Sequence, residues 1–251
     1  MIVWLAESLM RTLVIADIHA NLTALEAVLA DAQGAFDTVW CLGDLVGYGP
    51  DPNECVQRVR ALKGLVCLSG NHDHAAIGRI DLDTFNPLAA TALRWTASGL
   101  KAASRDYLDS LPSMQVINET TVAHGSPRHP VWEYIFDVGL AAENFAHFSG
   151  AVCLVGHTHT PRVYHRDSNR CHEKIAPVGK PFSLSAGRYI LNPGGVGQPR
   201  DRNPLAAYAL FDPDSASWEQ RRVAYDIAET QRRMQAHGLP EALITRLDFG
   251  V

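Results

Sequence analysis

The chain has 251 residues, 47% of them hydrophobic, enough to bury one substantial core, and nothing in its composition demands a second domain. A net charge of -5, with no stripe of Lys and Arg, excludes a general nucleic-acid-binding surface. Cys41, Cys55, Cys67, Cys153 and Cys171 form an odd set without CxxC spacing, which suits free core thiols in a reducing cytosol.

The opening MIVWLAESLM is too short for a secretory signal and lacks its basic leading region, and no later run approaches the length of a membrane span. A cytoplasmic protein with no membrane partner is expected. Met10 directly precedes the first convincing strand, RTLVIA at 11–16, so residues 1–9 read as an upstream extension of a single domain. Further short runs rich in Val, Ile and Leu follow at 38–43, 65–70, 120–125 and 151–156, each ending at Gly or a polar cluster. Between the first two, Leu22, Leu25, Val28 and Leu29 share a helical face with Asn21 as N-cap, which makes a βαβ unit. Asp51, Pro52 and Glu54 predict the cap, first turn and N3 acid of a second helix with Val56, Val59 and Leu62 inside. Helical patterns cover about 85–98 and 138–148. Segments 162–165, 188–192, 206–211 and 218–226 read as strands, 166–187 as a loop or hairpin excursion, and the tail from Ile227 as helix followed by Pro. The order is α/β, alternating early and mainly β later.

The chemistry-bearing residues fall at the C-terminal ends of these strands: Asp17 and His19, Asp44, Asn71 and His72, His124, then His157 and His159. Ligands bind at that edge of open α/β sheets, because loops converge there on rigid strand ends. Carboxylates, an amide oxygen and neutral imidazoles together suit hard or borderline divalent cations. Singly, an Asp or Asn at such a place is more often a turn residue than a ligand.

In order and spacing, ADIHAN at 16–21, LGDLVGYG at 42–49, SGNHDH at 69–74, AHG at 123–125 and GHTHTP at 156–161 resemble the calcineurin-like metallophosphoesterases. NPGGVGQPRD at 192–201 resembles a closing loop of small prokaryotic members. The resemblance implies a two-sheet βαβ sandwich flanked by helices, with a dinuclear centre at the sheet edge. It implies that Asp17, His19 and His159 hold one ion, that Asn71, His124 and His157 hold the other, and that Asp44 bridges them. Two divalent ions, manganese first and iron, zinc, nickel or magnesium as alternatives, would then activate a shared water for attack on a phosphate ester. His72, directly after Asn71, would be the general acid for the leaving group, with Asp73 orienting it. A metal-binding scaffold without turnover is the alternative, against which His72 speaks.

Two departures touch no ligand: Ala20 stands where many relatives have Gly, and Gly195 where Ser is common. LGDLVGYG lacks the Asp-Arg-Gly continuation of phosphoprotein phosphatases and symmetrical dinucleoside tetraphosphatases, which argues against those two specificities. A small phosphorylated substrate is expected, a phosphodiester first and a nucleotide-like monoester second, with no protein partner indicated. After His124, the stretch HGSPRHPVWEYIF offers Arg128 and His129 for phosphate and Trp132 or Tyr134 for a base, or else Trp132 and Phe136 anchor the loop in the core. Arg200 either reaches a substrate phosphate or is solvated beside Arg202. The glycines at 194, 195 and 197 read as tight backbone near the site, since no P-loop surrounds them.

Overall fold

A computed structural model describes residues 11–168 and 170–251; the expected extension at 1–9 lies outside the described residues. Strands β1 (Thr12–Ile15), β2 (Thr38–Cys41) and β3 (Leu65–Cys67) are parallel, joined by helices α1 (Leu22–Asp31) and α2 (Pro52–Arg60). β1 is buried on both faces, as a continuous apolar run requires. Asn21 caps α1 by accepting from Ala24 N–H, and Leu25, Val28 and Leu29 are the buried stripe. Asp51 stands at the N-cap of α2 yet makes no side-chain cap bond; its carboxylate instead pairs with Arg233. The helix also stops before Leu62, which packs from the following turn.

The chain continues through α3 (Asn71–Ala76), a 3₁₀ turn, α4 (Pro87–Gly99) and α5 (Ala102–Ser110) to β4 (Met114–Ile117) and β5 (Thr120–Ala123). Then come α6 (Val138–Asn144), shorter than the expected helix, and β6 (Val152–Val155). β7 (Arg162–Asp167) and β8 (Arg170–Lys174) form a hairpin, followed by β9 (Pro181–Ser183), β10 (Arg188–Asn192), β11 (Ala206–Asp212) and β12 (Ser217–Val223). α7 (Ile227–Ala236) and α8 (Glu241–Thr245) follow, and a 3₁₀ turn at Arg246–Asp248 comes after them.

Two six-stranded sheets result, ordered β3-β2-β1-β11-β12-β9 and β4-β5-β6-β10-β7-β8. Their inner faces meet in a core that includes Val14, Trp40 and Phe211 from the first sheet with Val122, Leu154 and Leu191 from the second. Outside the first sheet, Leu13, Ile15 and Val39 pack against Leu25, Val28 and Val56 of α1 and α2; outside the second, Cys153, Val155 and Ile190 pack against Ala141 and Phe145 beside α6. This layering of helix, sheet, sheet and helix is the sandwich the motifs imply. Parallel strands β1, β2 and β3 in one sheet, and β5 and β6 in the other, deliver the loops of the candidate site.

Candidate metal centre

Each parallel strand breaks off into a tight turn, and backbone bonds lash these turns together. Asp17 N–H donates to Gly43 O at 3.0 Å, His19 N–H to Asp44 O at 2.9 Å, and Gly156 N–H to His124 O at 2.8 Å. Asp17, His19, Asp44, His157 and His159 all have φ between 48° and 65°, a region that L-residues seldom occupy. Such strain, about 1–3 kcal/mol per residue, persists only where the surroundings over-determine the backbone. The 192–201 loop closes over them: Gly197 N–H donates to Asp17 O at 2.9 Å, and Gln198 O accepts from His159 Nδ1 at 2.6 Å. Its glycines therefore serve backbone contact, and Asn21 binds it as well as capping α1, through Nδ2 to Gly197 O at 2.9 Å.

The seven expected ligands converge, every one at most 2% exposed. His159 Nε2 lies 3.5 Å from Asp17 Oδ1 and 3.0 Å from His19 Nε2, and His19 Nε2 lies 3.6 Å from Asp44 Oδ2. On the other side of Asp44, His124 Nε2 is 3.5 Å from the same Oδ2, 3.1 Å from Asn71 Oδ1 and 3.2 Å from His157 Nδ1. Asp44 thus stands between two groups of donors.

The tautomers follow from the outer ring of carbonyls, which accept only. Val46 O binds His19 Nδ1 at 3.0 Å, Leu42 O binds His124 Nδ1 at 2.9 Å, Gln198 O binds His159 Nδ1, and Trp132 O binds His157 Nε2 at 3.3 Å. Each neutral imidazole therefore turns a lone pair inward. His19 and His159 point two lone pairs at each other, and Asp44 Oδ2 is buried with no hydrogen-bond partner among the described residues. Inward lone pairs and carboxylates with no donor between them are the chemistry of a cation cage, so the residues fit divalent ions. Burial, joined by the Arg200 charge, holds His19 and His159 well below the usual imidazole range, and burial pushes Asp17 up to about 7 and Asp44 well up.

His72 sits at the edge of this cluster, 4% exposed, its backbone N–H donating to Asp44 Oδ1 at 2.9 Å. Its ring packs edge-on to His19 and Phe85, with Tyr48 alongside at 4.5 Å between centroids. Gly47 (φ 91°) lies against it: a Cβ there would come within 2.5 Å of His72 Nδ1. Asp73 does not orient His72. Its carboxylate accepts from Val46 N–H at 3.1 Å and Gly70 N–H at 3.0 Å, while His72 Nδ1 has no partner among the described residues, so Asp73 is a fastener for the two loops.

Arg128 is a second correction. Its guanidinium is taken by Glu133 and Glu143, a clip within the loop after His124, and it is not free to grip phosphate. His129 is exposed on that loop. Ile135, not Trp132 or Phe136, is the buried anchor; Trp132 is 39% and Phe136 54% exposed, with Trp132 beside Phe85 and His157. Arg200 lies over the Tyr48 ring at 5.6 Å and donates to Gln198 Oε1 at 2.9 Å. No carboxylate among the described residues forms an ion pair with it. Tyr134, an expected member of the loop after His124, stacks its ring on His157 at 3.7 Å, whereas two site neighbours, Tyr48 and Phe85, carried no expectation from sequence. Tyr48 lies inside LGDLVGYG, a motif already singled out. Phe85 follows a 3₁₀ turn and precedes α4, where the sequence gives no signal of a site.

The profile of the calcineurin-like phosphoesterase superfamily domain matches residues 10–216. An uncharacterised protein of Methanocaldococcus jannaschii is 40% identical over 247 residues, 94% of this chain and 97% of that one. The crystal structure of a metallophosphoesterase from Sphaerobacter thermophilus is 52% identical, with a TM-score of 0.87 over 96% of this chain and 99% of that one. A symmetrical bis(5′-nucleosyl)-tetraphosphatase of Pectobacterium carotovorum is 42% identical over 69 residues, 26% of this chain and 24% of that one.

Proposed function

The chain belongs to the calcineurin-like phosphoesterase superfamily, and we propose that it is a two-metal hydrolase of small phosphate esters, a phosphodiester or a nucleotide-type monoester, acting in the cytoplasm. The observation that carries this reading is the set of inward lone pairs around Asp44 Oδ2. Asp17, His19 and His159 would hold one divalent ion, Asn71, His124 and His157 the other, and Asp44 both. Manganese suits this mixture of carboxylate, amide and imidazole donors, with iron, zinc, nickel or magnesium as alternatives. Such ions supply Lewis-acid polarisation of the phosphoryl group and activation of water near neutral pH.

The protein's own part is to position and to move a proton. The carbonyls of Val46, Leu42, Gln198 and Trp132 fix the imidazole tautomers, so each ring already turns a lone pair inward for a cation. His72 would hand a proton to the departing oxygen as general acid. Burial keeps its imidazole neutral, and an arriving phosphate's negative charge favours the protonated form, so substrate itself would charge the acid. Arg200, a guanidinium near Tyr48 without an acidic partner among the described residues, would add positive field for the anion.

The test is hydrolysis of a bis-aryl phosphodiester and an aryl phosphomonoester with Mn²⁺, beside metal analysis of the purified chain. Two ions per chain and a loss of roughly 10²–10⁴-fold in turnover for His72→Ala are expected. Binding of a single ion at saturation, or unchanged turnover in that variant, would defeat the proposal.

A further inference from the structure

An aromatic wall adjoins the reacting side of the centre. Phe85 packs edge-on to His72 with centroids 5.1 Å apart, and Trp132 lies 5.1 Å beyond it at a 49° tilt. Trp132 also stands 6.5 Å from His157, and its own backbone oxygen is held by that histidine's Nε2. Phe85 and Trp132 are already in contact, so no ring inserts between them. Trp132 itself keeps open surface and is 39% exposed.

An indole that packs against Phe85, on a residue whose backbone oxygen bonds His157, and that is still left open to solvent is poorly explained as core packing, because Ile135 already anchors this loop. We propose that the open surface of Trp132, packed against Phe85, is a stacking platform for a planar aromatic ring carried by the phosphate ester, a nucleobase or an aryl group. The inference rests on the hydrolase reading and names the substrate class for the same site. Stacking of this kind tolerates different bases, since every base offers a π-face. Selectivity would therefore be for the presence of a ring.

Binding is measured by titration calorimetry on the Mn²⁺-loaded chain in a His72→Gln background, which slows turnover. The probes are inorganic phosphate, ribose 5-phosphate, phenyl phosphate and adenosine 5′-monophosphate. The ring-bearing esters should bind about tenfold tighter than ribose 5-phosphate. Tightest binding by the nucleotide marks a base, and tightest binding by phenyl phosphate marks an aryl group. Trp132→Ala should erase the advantage and leave ribose 5-phosphate unchanged, while Trp132→Phe keeps most of it. Tryptophan emission should be quenched by the nucleotide and not by ribose 5-phosphate. Equal affinity for all three esters, or an advantage that survives Trp132→Ala, overturns the platform alone. Failure of all four probes to bind overturns the hydrolase reading, and the platform with it.

Discussion

Asp73 shows how one carboxylate serves a site without touching the reaction. Buried completely, it accepts from the N–H groups of Val46 and Gly70, and so ties the loop after β2 to the loop after β3. Removing it leaves two buried donors unpaired, so Asp73→Ala should lower unfolding free energy by about 2–4 kcal/mol in urea titrations. Asp73→Asn, with one acceptor oxygen, should recover only part. A residue that oriented His72 would behave otherwise, shifting the acidic limb of the pH–rate profile at unchanged stability. Gly47 gives the complementary case. Its φ of 91° and the His72 ring pressed against it leave no room for a side chain. Gly47→Ala should displace His72 and cut turnover by roughly a hundredfold, the scale of a lost general acid, while bound metal stays at two ions per chain. Loss of an ion in step with turnover would show that the whole loop had moved.

At the scale of elements, β1, β2, β3, β5 and β6 are legible because each is a short apolar run stopped by Gly or a polar residue, and each motif begins where its run stops. That coupling is why the ligand cluster can be read from the chain, residue by residue. The elements that escaped bury little of themselves. α5 hides only Ser104 and Leu108, and β4 is an edge strand with Met114 and Val116 exposed, so neither prints a period on the sequence. The position of β10 between β6 and β7 depends on non-local pairing that no local pattern encodes. Likewise Arg128 and Asp73 look available in sequence, and only their partners show that they are occupied.

The loop between β5 and α6 is held as a unit by Glu133. Burial pushes its carboxyl up, yet hydrogen bonds from Arg128, Ser126 and Asn144 outweigh that and hold it down at about 2. Because this lies below the ordinary 4.5, the carboxylate stabilises the loop fully above that pH, and the contribution fades as pH falls toward 2. Amide exchange across residues 125–136 should therefore quicken relative to the core strands on acidification through that window. Glu133→Gln should flatten this dependence and already quicken exchange at neutral pH.

The molecule as a whole carries a net charge of -5, yet its centre gathers neutral imidazoles and only two carboxylates among the seven candidate ligands. Protons and divalent ions compete for those carboxylates. Asp17 rests at about 7 and Asp44 well above its usual range, both raised chiefly by burial, whereas His19, His157 and His159 are held well below theirs. Near neutrality these three imidazoles are already free of protons, whereas the two carboxylates must release theirs on loading. A carboxyl whose folded value is raised favours the metal-free fold at low pH, and that contribution is lost as pH rises through about 7 for Asp17. Bound ions reverse the preference. At a hundredfold excess over its dissociation constant, one ion adds about 2.7 kcal/mol, which for a chain of this length is about 5–10 °C in melting temperature. The gap between Mn²⁺-loaded and metal-free melting temperatures should therefore widen between pH 6 and pH 8, and calorimetry in both states measures it directly. Asp44→Asn, which removes the shared carboxylate, should shrink the gap at every pH; a gap that instead grew on acidification would place the binding elsewhere than among these seven residues.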